Sequence, residues 1–455
     1  MAQTLPHSQP ELARDLGVRH AIAVVIGTII GSGIFLVPAE MMQAVGSARL
    51  VYLAWIVGGL LSFFGALTYA ELGAMKPQAG GEYVYIRDAY GSLTGFLYAW
   101  TWFVIAKPAS IATITTGLVR ILGTFPALSF LSLRVNGAAP VTYGQLLAIG
   151  ATIVISGVNY LGVKKAGELQ VVFTLLKVMI ILGIGVIGFS YTSGSWANFA
   201  SDFTGAKGGM AGFMAALVAA LWAYDGWNDL NMVAGEIRQP DRNIPVALIA
   251  GVATVGALYM LVNAAVQFVM PAAAIAASSR PASDAMALVL GRFGGSVVAV
   301  GMAVSMLATL NGTIMSGARV PYAVARDRYF FSALARVHPV FHTPSVAIVV
   351  QATLAIILLL LGGTFRQFFS LAIFAEWLFY MIASSTIFVF RRRNPQALRP
   401  YRVWGYPVVP LLFVAASSVL LWFTFAGNLP SSAVGMLVIL AGIPVFYGFA
   451  RRRMP

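Results

Sequence analysis

Twelve long apolar runs constrain this chain more than any other feature of its sequence. Each is about twenty residues long or longer, enough for an α-helix to cross the hydrocarbon core of a bilayer. No polar linker of a length that would separate two soluble domains lies between them. The sequence therefore predicts a single all-α integral membrane domain. We number the runs as spans 1 to 12, and they cover residues 18–43, 49–75, 92–121, 141–160, 167–190, 208–235, 244–269, 287–318, 344–362, 367–390, 405–427 and 431–450.

The distribution of charge supports a membrane location. Charged residues make up 10% of the 455 residues, whereas soluble domains carry about 25%. The net charge of +14 could suggest a nucleic-acid partner. If the amino terminus is cytoplasmic, however, twenty Lys and Arg fall in cytoplasmic segments, seven fall outside and two lie within spans. This positive-inside bias orients a membrane protein. It predicts a multi-pass protein of the inner (cytoplasmic) membrane with both termini cytoplasmic, and no nucleic-acid partner.

Two spans contain features that interrupt a helix. Span 1 holds three glycines within residues 27–33, and each Gly costs a helix about 1 kcal/mol relative to Ala. Span 6 holds a polar patch at residues 224–229. Backbone leaves the helical conformation at membrane depth only where it is buried in protein or lines a wet cavity. Two breaks five spans apart indicate inverted five-helix repeats with a substrate site at the breaks, while glycine packing between helices is the alternative for span 1.

The spans and breaks together predict the organisation of the chain. We expect a cytoplasmic tail, a first five-helix repeat, a second inverted repeat, two further helices and a second cytoplasmic tail. These parts cover residues 1–17, 18–190, 206–391, 403–450 and 451–455.

Eight short motifs, spread over nearly the whole chain, carry a family resemblance. They are residues 27–35 (GTIIGSGIF), 69–73 (YAELG), 80–83 (GGEY), 222–231 (WAYDGWNDLN), 236–238 (EIR), 242–245 (RNIP), 311–312 (NG) and 316–319 (SGAR). Together they resemble the L-type amino-acid transporter family of the amino acid–polyamine–organocation superfamily. Residues 222–228 are most similar to the branch that exchanges basic amino acids and cystine for neutral ones.

The resemblance implies both a fold and a function. The fold would be the LeuT-type fold, with twelve transmembrane helices, a 5+5 inverted repeat and broken helices 1 and 6. The function would be that of a stand-alone, prokaryotic-type amino-acid carrier working by alternating access. Animal members of the family bind a glycoprotein through a cysteine between helices 3 and 4. This sequence has no cysteine, so no disulfide-linked subunit is expected.

The breaks also suggest how an amino acid would bind. Its carboxylate and ammonium need partners when they leave water. The amides of Ser32 and Gly33, at the start of the second half of helix 1, suit the carboxylate, and the carbonyls of Ile29 and residues 222–225 suit the ammonium. The resemblance implies the same assignment and adds a pocket wall from helices 3, 8 and 10. The predicted substrate-binding residues are Ile29, Gly31, Ser32, Gly33, Trp222, Ala223, Asp225, Ile105, Ser110, Thr313 and Glu376.

Several of these residues have an alternative interpretation. The resemblance implies that Trp222 is an aromatic gate over the substrate, whereas it would otherwise be a core or lipid-facing residue. The hydroxyls of Ser110 and Thr313 could bond the backbone of their own helices. Asp225 could pair with the distal cation of Arg, Lys or ornithine, or it could cap the second half of helix 6. Glu376 could add a second carboxylate or pair with a neighbouring helix.

Two lysines lie inside spans. A lysine at mid-membrane is costly and normally functional, and the apolar flanks of Lys177 are too long for its side chain to reach an interface. The resemblance implies that Lys177 stands where sodium-coupled relatives hold a sodium ion, and that it bridges helix 1 to helix 8. Sodium-independent, obligatory exchange of cationic and neutral L-amino acids follows. Proton symport through Lys177, or neutral-only exchange, is the alternative. Lys107 precedes Pro108, which should kink helix 3, and has no predicted partner.

Other function classes lack support in the sequence. Neither His-Glu-x-x-His nor Gly-x-Ser-x-Gly occurs, so no catalytic, metal or cofactor site is predicted. No filter-like or charged-ring segment indicates a channel. Glu71, Glu82 and Glu236 are expected to pair with nearby Lys and Arg in an inner gate.

Overall fold

The computed structural model of the protein describes residues 11–135, 141–362, 365–427 and 429–451. Of the predicted tails, residues 1–10 and 452–455 lie outside these ranges. The described residues are mostly helical and contain no strand, only isolated bridges.

Within the described residues, the first half of the chain forms helices α1 to α10. All of them lie in the first six spans except α4, which lies in the segment between spans 2 and 3. The bounds are α1 (Val18–Ile29), α2 (Gly33–Val45), α3 (Ala48–Met75), α4 (Glu82–Tyr90), α5 (Ser92–Thr101), α6 (Lys107–Leu122), α7 (Tyr143–Tyr160), α8 (Val163–Phe189), α9 (Gly209–Ala223) and α10 (Asp229–Met232).

The remaining spans give the helices of the second half. They are α11 (Pro240–Val269), α12 (Ala272–Ala277), α13 (Pro281–Gly317), α14 (Arg319–Arg326), α15 (Ser345–Leu361), α16 (Phe365–Arg393), α17 (Val408–Gly427) and α18 (Leu429–Arg451). The short helices α4, α12 and α14 were not predicted, because none of them contains a long apolar run.

Eight helical stretches of the described chain are long and apolar enough to cross a membrane. They coincide with spans 1, 2, 3, 5, 7, 8, 11 and 12. Spans 6 and 9 contain the shorter apolar helices α9 and α15, and spans 4 and 10 coincide with α7 and α16. The protein is therefore a multi-pass membrane protein.

The outer surface of the helices is apolar. Val154 on α7, Val186 on α8 and Phe293 on α13 are 63%, 69% and 73% exposed. Large exposed apolar side chains of this kind are costly in water but suit contact with lipid tails. The buried side chains of the same helices face the centre of the bundle.

The segments that were predicted to be cytoplasmic lie at one end of the bundle, where polar contacts join them. Lys76 pairs with Asp88, and Arg238 pairs with Asp15. His342 contacts the carbonyl of Glu11, 331 residues away in the chain. The segments that the charge bias places on one side of the membrane thus lie together.

Helix α1 ends at Ile29 and α2 begins at Gly33, so the interruption expected at the glycine cluster is present. Helix α9 ends at Ala223, and the chain is not helical again until Asp229. Gly226 has a φ of 110°, a conformation that residues with a Cβ rarely adopt.

The two breaks pack directly against each other. A Cβ on Gly33 would lie 3.0 Å from the Cα of Ala223, and a Cβ on Gly226 would lie 3.0 Å from the carbonyl carbon of Thr28. Glycine at these two positions lets the backbones approach closely enough to enclose a shared central space.

The orientation of the bundle is a testable prediction. Both termini and the loop of residues 391–402 should be cytoplasmic, because only that orientation puts the basic end against anionic inner-leaflet lipid. In sealed right-side-out vesicles, an impermeant label should fail to reach a tag at the carboxy terminus and should reach it after permeabilisation. Labelling of the tag in sealed vesicles would contradict the assignment.

Candidate functional site

A cavity of about 110 Å³ lies between the two breaks and the helices that surround them. Its walls come from the α1–α2 break, the end of α9 and the segment after it, α6, α13 and α16. The predicted site residues that line it are Ile29, Gly31, Ser32, Gly33, Ser110, Trp222, Ala223, Asp225, Thr313 and Glu376.

Ile105 does not line the cavity, contrary to the prediction. The lining residues of α6 are Lys107, Ser110 and Ile114, together with Thr113, so they follow one helix face at intervals of three and four residues. Ile105 lies two residues before Lys107, in the π-helical turn of residues 102–106, and is not among the residues that line the cavity.

Lys177 lies behind the cavity, against the broken part of helix 1. Its Nζ donates to the carbonyls of Gly27 at 2.9 Å, Ile30 at 2.6 Å and Ser305 at 3.2 Å. Ser305 lies on α13, so the buried ammonium joins the first break to the predicted helix 8. Unwinding leaves the carbonyls of Gly27 and Ile30 without helical backbone donors, and the lysine donates to both.

Tyr259 on α11 joins the two breaks, and sequence analysis missed it. Its hydroxyl lies 3.1 Å from the Ile29 carbonyl and 2.7 Å from the Ala223 carbonyl. Thr28 makes a second link, because its hydroxyl lies 2.8 Å from the carbonyl of Gly226. A tyrosine in an apolar span gives no sequence signal of this role.

The Asp225 carboxylate accepts a hydrogen bond from the hydroxyl of Tyr380 on α16, at 2.9 Å. It does not cap α10, since the residue at the N-cap position is Asn228. The same Tyr380 hydroxyl is 3.1 Å from the side-chain oxygen of Asn228. The capping alternative for Asp225 therefore has no support in the geometry.

Glu376 lies one helical turn before Tyr380 and faces the same cavity. Its carboxylate accepts a hydrogen bond from Ser110 at 3.3 Å. Ser110 thus bonds a neighbouring helix rather than its own backbone. One turn further along α6, the Oγ1 of Thr113 is buried without a hydrogen-bond partner, so the cavity wall holds an additional free hydroxyl.

Lys107 has the partner that sequence analysis could not supply. Its Nζ lies 2.5 Å from the carboxylate of Asp229, and it also lies 5.1 Å from the centre of the Trp102 ring. Both members of the ion pair are buried and both line the cavity. The pair ties the kinked region of helix 3 to the start of α10.

The three glutamates expected in an inner gate behave differently from one another. Glu71 pairs with Arg391 at 2.6 Å, and Glu236 pairs with the fully buried Arg319 at 2.7 Å. The prediction is wrong for Glu82, which forms no ion pair with any described Lys or Arg.

Glu82 instead accepts hydrogen bonds from Asn228 at 2.6 Å and from the Tyr98 hydroxyl at 3.2 Å. Burial raises the pKa of Glu82 to about 7. Glu82 lies behind the cavity wall, on the short helix α4, and reaches the cavity only through Asn228.

The described residues contain no group of three or more His, Cys, Asp and Glu side chains arranged to hold a metal ion. The polar groups that face the cavity are backbone amides and carbonyls, hydroxyls, carboxylates and one paired lysine. Such groups bind a small zwitterion or cation by hydrogen bonds and charge.

Comparisons with known proteins indicate the same class of molecule. Residues 16–449 match the family model described as amino acid permease. The chain is 33% identical over 451 residues to the serine/threonine exchanger SteT of Bacillus subtilis, covering 97% of this chain and 98% of the relative. It is 33% identical over 417 residues to the b(0,+)-type amino acid transporter 1 of Homo sapiens, covering 90% and 82%. It is 30% identical over 441 residues to the human cystine/glutamate transporter, covering 96% and 86%.

Proposed function

The chain belongs to the amino acid permease family, and on this premise we propose that it is a sodium-independent, obligatory exchanger of cationic and neutral L-amino acids. The family match confirms the relationship predicted from the motifs, and the relatives are transporters rather than enzymes. One observation carries the proposal. A single buried cavity joins the first turn of a helix, which suits a carboxylate, to the Asp225 and Glu376 carboxylates, which suit a cation.

We propose the LeuT-type arrangement of twelve transmembrane helices for this carrier. Residues 18–190 and 206–391 would be the inverted repeats, and residues 403–450 would supply the last two helices. The support is that the first span of each proposed repeat is broken and that the two breaks pack together. The carrier would lie in the inner (cytoplasmic) membrane. Without cysteine, it would work without a disulfide-linked subunit.

The substrate carboxylate would lie against the amides of Ser32 and Gly33, at the positive end of α2. The substrate ammonium would donate hydrogen bonds to backbone carbonyls at the two breaks. The Tyr259 hydroxyl lies within hydrogen-bond distance of the Ile29 and Ala223 carbonyls but has one proton to donate, and each carbonyl oxygen has two lone pairs. The ammonium would therefore bind these carbonyls together with the Tyr259 hydroxyl or displace it from them. Trp222 at the end of α9 would close over the bound substrate.

Asp225 would pair with the distal cation of Arg, Lys or ornithine. A guanidinium or ammonium is costly to bury without an opposite charge, and Asp225 faces the cavity in a fixed rotamer held by Tyr380. With a neutral substrate, the same carboxylate would keep its hydrogen bonds and water, so neutral amino acids remain acceptable.

A counterflow assay in proteoliposomes tests the proposed function. Labelled Ala should enter vesicles loaded with Arg or Ala and should not enter empty vesicles, and replacing sodium by choline should change neither result. A competition panel of amino acids and polyamines then gives the substrate range. Uptake into empty vesicles driven by an inward pH gradient would contradict exchange and favour proton symport.

Substitution of Lys177 tests the proposed coupling role. Lys177→Ala removes the donor to three carbonyls of the break and α13, so the exchange rate should fall more than about tenfold, which corresponds to about 1.4 kcal/mol. Substrate affinity, measured by thermal shift with Ala, should change less. Lys165→Ala, an exposed position on the same helix, is the matched control. A Lys177→Ala carrier with wild-type turnover would remove this residue from the mechanism.

Substitution of Asp225 tests selectivity. Asp225→Asn keeps an oxygen that accepts from Tyr380 but removes the charge. Breaking a buried charge pair costs about 3–5 kcal/mol, so the apparent affinity for Arg should fall by about 100-fold or more while Ala exchange continues. Asp202→Asn, at an exposed position, should leave both substrates unaffected. If Asp225→Asn lowers Arg and Ala exchange equally, Asp225 has only a structural role.

A further inference from the structure

The carboxylates inside the described part of the bundle fall into three groups, and the first is Glu82 alone, which is hydrogen-bonded to Asn228 and Tyr98 behind the cavity wall. Glu71, Glu236 and Asp229 each pair with a buried or partly buried Arg or Lys. Asp225 and Glu376 face the cavity and, among the described residues, neither forms an ion pair. The nearest cation, Lys107, is already held 2.5 Å from Asp229. The cavity therefore carries an excess of negative charge that no cation among the described residues balances by an ion pair.

Glu376 is the less well solvated of the two unpaired carboxylates. It is 7% exposed and accepts one hydrogen bond within the described structure, the 3.3 Å contact from Ser110. Asp225 accepts a shorter bond, at 2.9 Å, from Tyr380. Of the two, Glu376 gains more from holding a proton.

The ionisable groups around Glu376 lie on α16 itself, on neighbouring helices and beside the second break. Lys107 lies on α6, Asp225 and Asp229 lie beside the second break, and Tyr380 lies on the same helix. Of the other helices packed against α16, α4 carries Glu82 and α3 carries Tyr69, which lies close to Glu82. Helix α17 has no ionisable side chain, and those of α18 are Tyr447 and Arg451. Lys107 is the one cation of this group at cavity depth, and Asp229 neutralises it.

The substrates differ in the charge that they bring to this cavity. A neutral amino acid brings none, whereas Arg or Lys brings one positive charge. Two carboxylates that share a buried site do not both stay ionised without a cation nearby. The distal cation of Arg supplies that charge, and in its absence a proton on one carboxylate has to supply it.

We propose that the carrier also moves protons: Glu376 holds a proton when a neutral amino acid occupies the cavity and releases it when a cationic one binds. The O–H bond of the carboxyl group breaks, and the proton passes to water on the side to which the cavity is open. Each exchange of Arg for Ala then moves one proton together with Ala, in the direction opposite to Arg, and no net charge. This inference rests on the proposed exchange of cationic and neutral substrates.

Proton counting in proteoliposomes tests the proposal. Vesicles contain Arg and the pH dye pyranine, external Ala starts the exchange, and equal potassium with valinomycin holds the membrane potential at zero. The lumen should acidify by about one proton per Arg released, and Ala/Ala exchange should move none. When unequal potassium with valinomycin sets a membrane potential instead, the final distribution of Arg and Ala between the lumen and the outside should not depend on that potential.

Two variants identify the proton-binding group. Glu376→Gln keeps the size of the side chain and an acceptor for Ser110 but holds no exchangeable proton. Proton movement should stop, and the Arg/Ala distribution should now shift about tenfold for every 60 mV or so. Glu82→Gln, behind the cavity wall, should keep one proton per Arg.

The outcomes separate the two claims. Arg/Ala exchange by the wild type that moves no protons and follows the potential overturns proton compensation and leaves the proposed function intact. Absence of Arg exchange overturns the proposed substrate range and the inference together. Loss of proton movement in Glu82→Gln, but not in Glu376→Gln, overturns the assignment to Glu376. The wild-type measurement decides the main point even if a variant fails to fold.

Discussion

Backbone that leaves the helical conformation inside a bilayer has no water to bond, so the surrounding protein must satisfy it. Two such breaks meet at the centre of this protein, and side chains from distant helices complete their hydrogen bonding. Lys177 and Ser305 hold the carbonyl of Ile30, while Tyr259 bridges Ile29 and Ala223. Because these contacts come from α8, α13 and α11, the position of the breaks depends on the whole bundle. Any movement that opens the cavity has to exchange some of these bonds for others.

Local features of the sequence predicted the parts of the structure that local chemistry determines. Apolar runs predicted the helices, the glycine cluster predicted the first break, and residues 224–229 predicted the second. The depth of Lys177 in an apolar run indicated a buried lysine. The wall of the cavity was less predictable. An apolar span has no sequence pattern that fixes its rotation about the helix axis, and Ile105, in the π-helical turn before Lys107, does not line the cavity.

Partners separated by long stretches of chain could not be predicted. Lys107 and Asp229 are 122 residues apart, and their contact depends on how deep two helices lie relative to each other. Glu82 was expected to meet a cation because Lys76 and Arg87 lie near it in the sequence, yet its carboxylate bonds Asn228 and Tyr98. The result is a division of labour among carboxylates. Those paired with Arg or Lys hold helices together, and Asp225 and Glu376, which face the cavity and pair with no described cation, are the ones that we propose respond to the charge of a substrate.

The central claim is that the space between the two breaks binds the amino acid in a defined direction. A cryo-EM structure of the purified carrier with bound Arg tests it most directly. The account predicts the substrate carboxylate within hydrogen-bond distance of the amides of Ser32 and Gly33, and the guanidinium beside Asp225. Arginine bound outside this cavity, or bound with its carboxylate toward Asp225, would contradict the account.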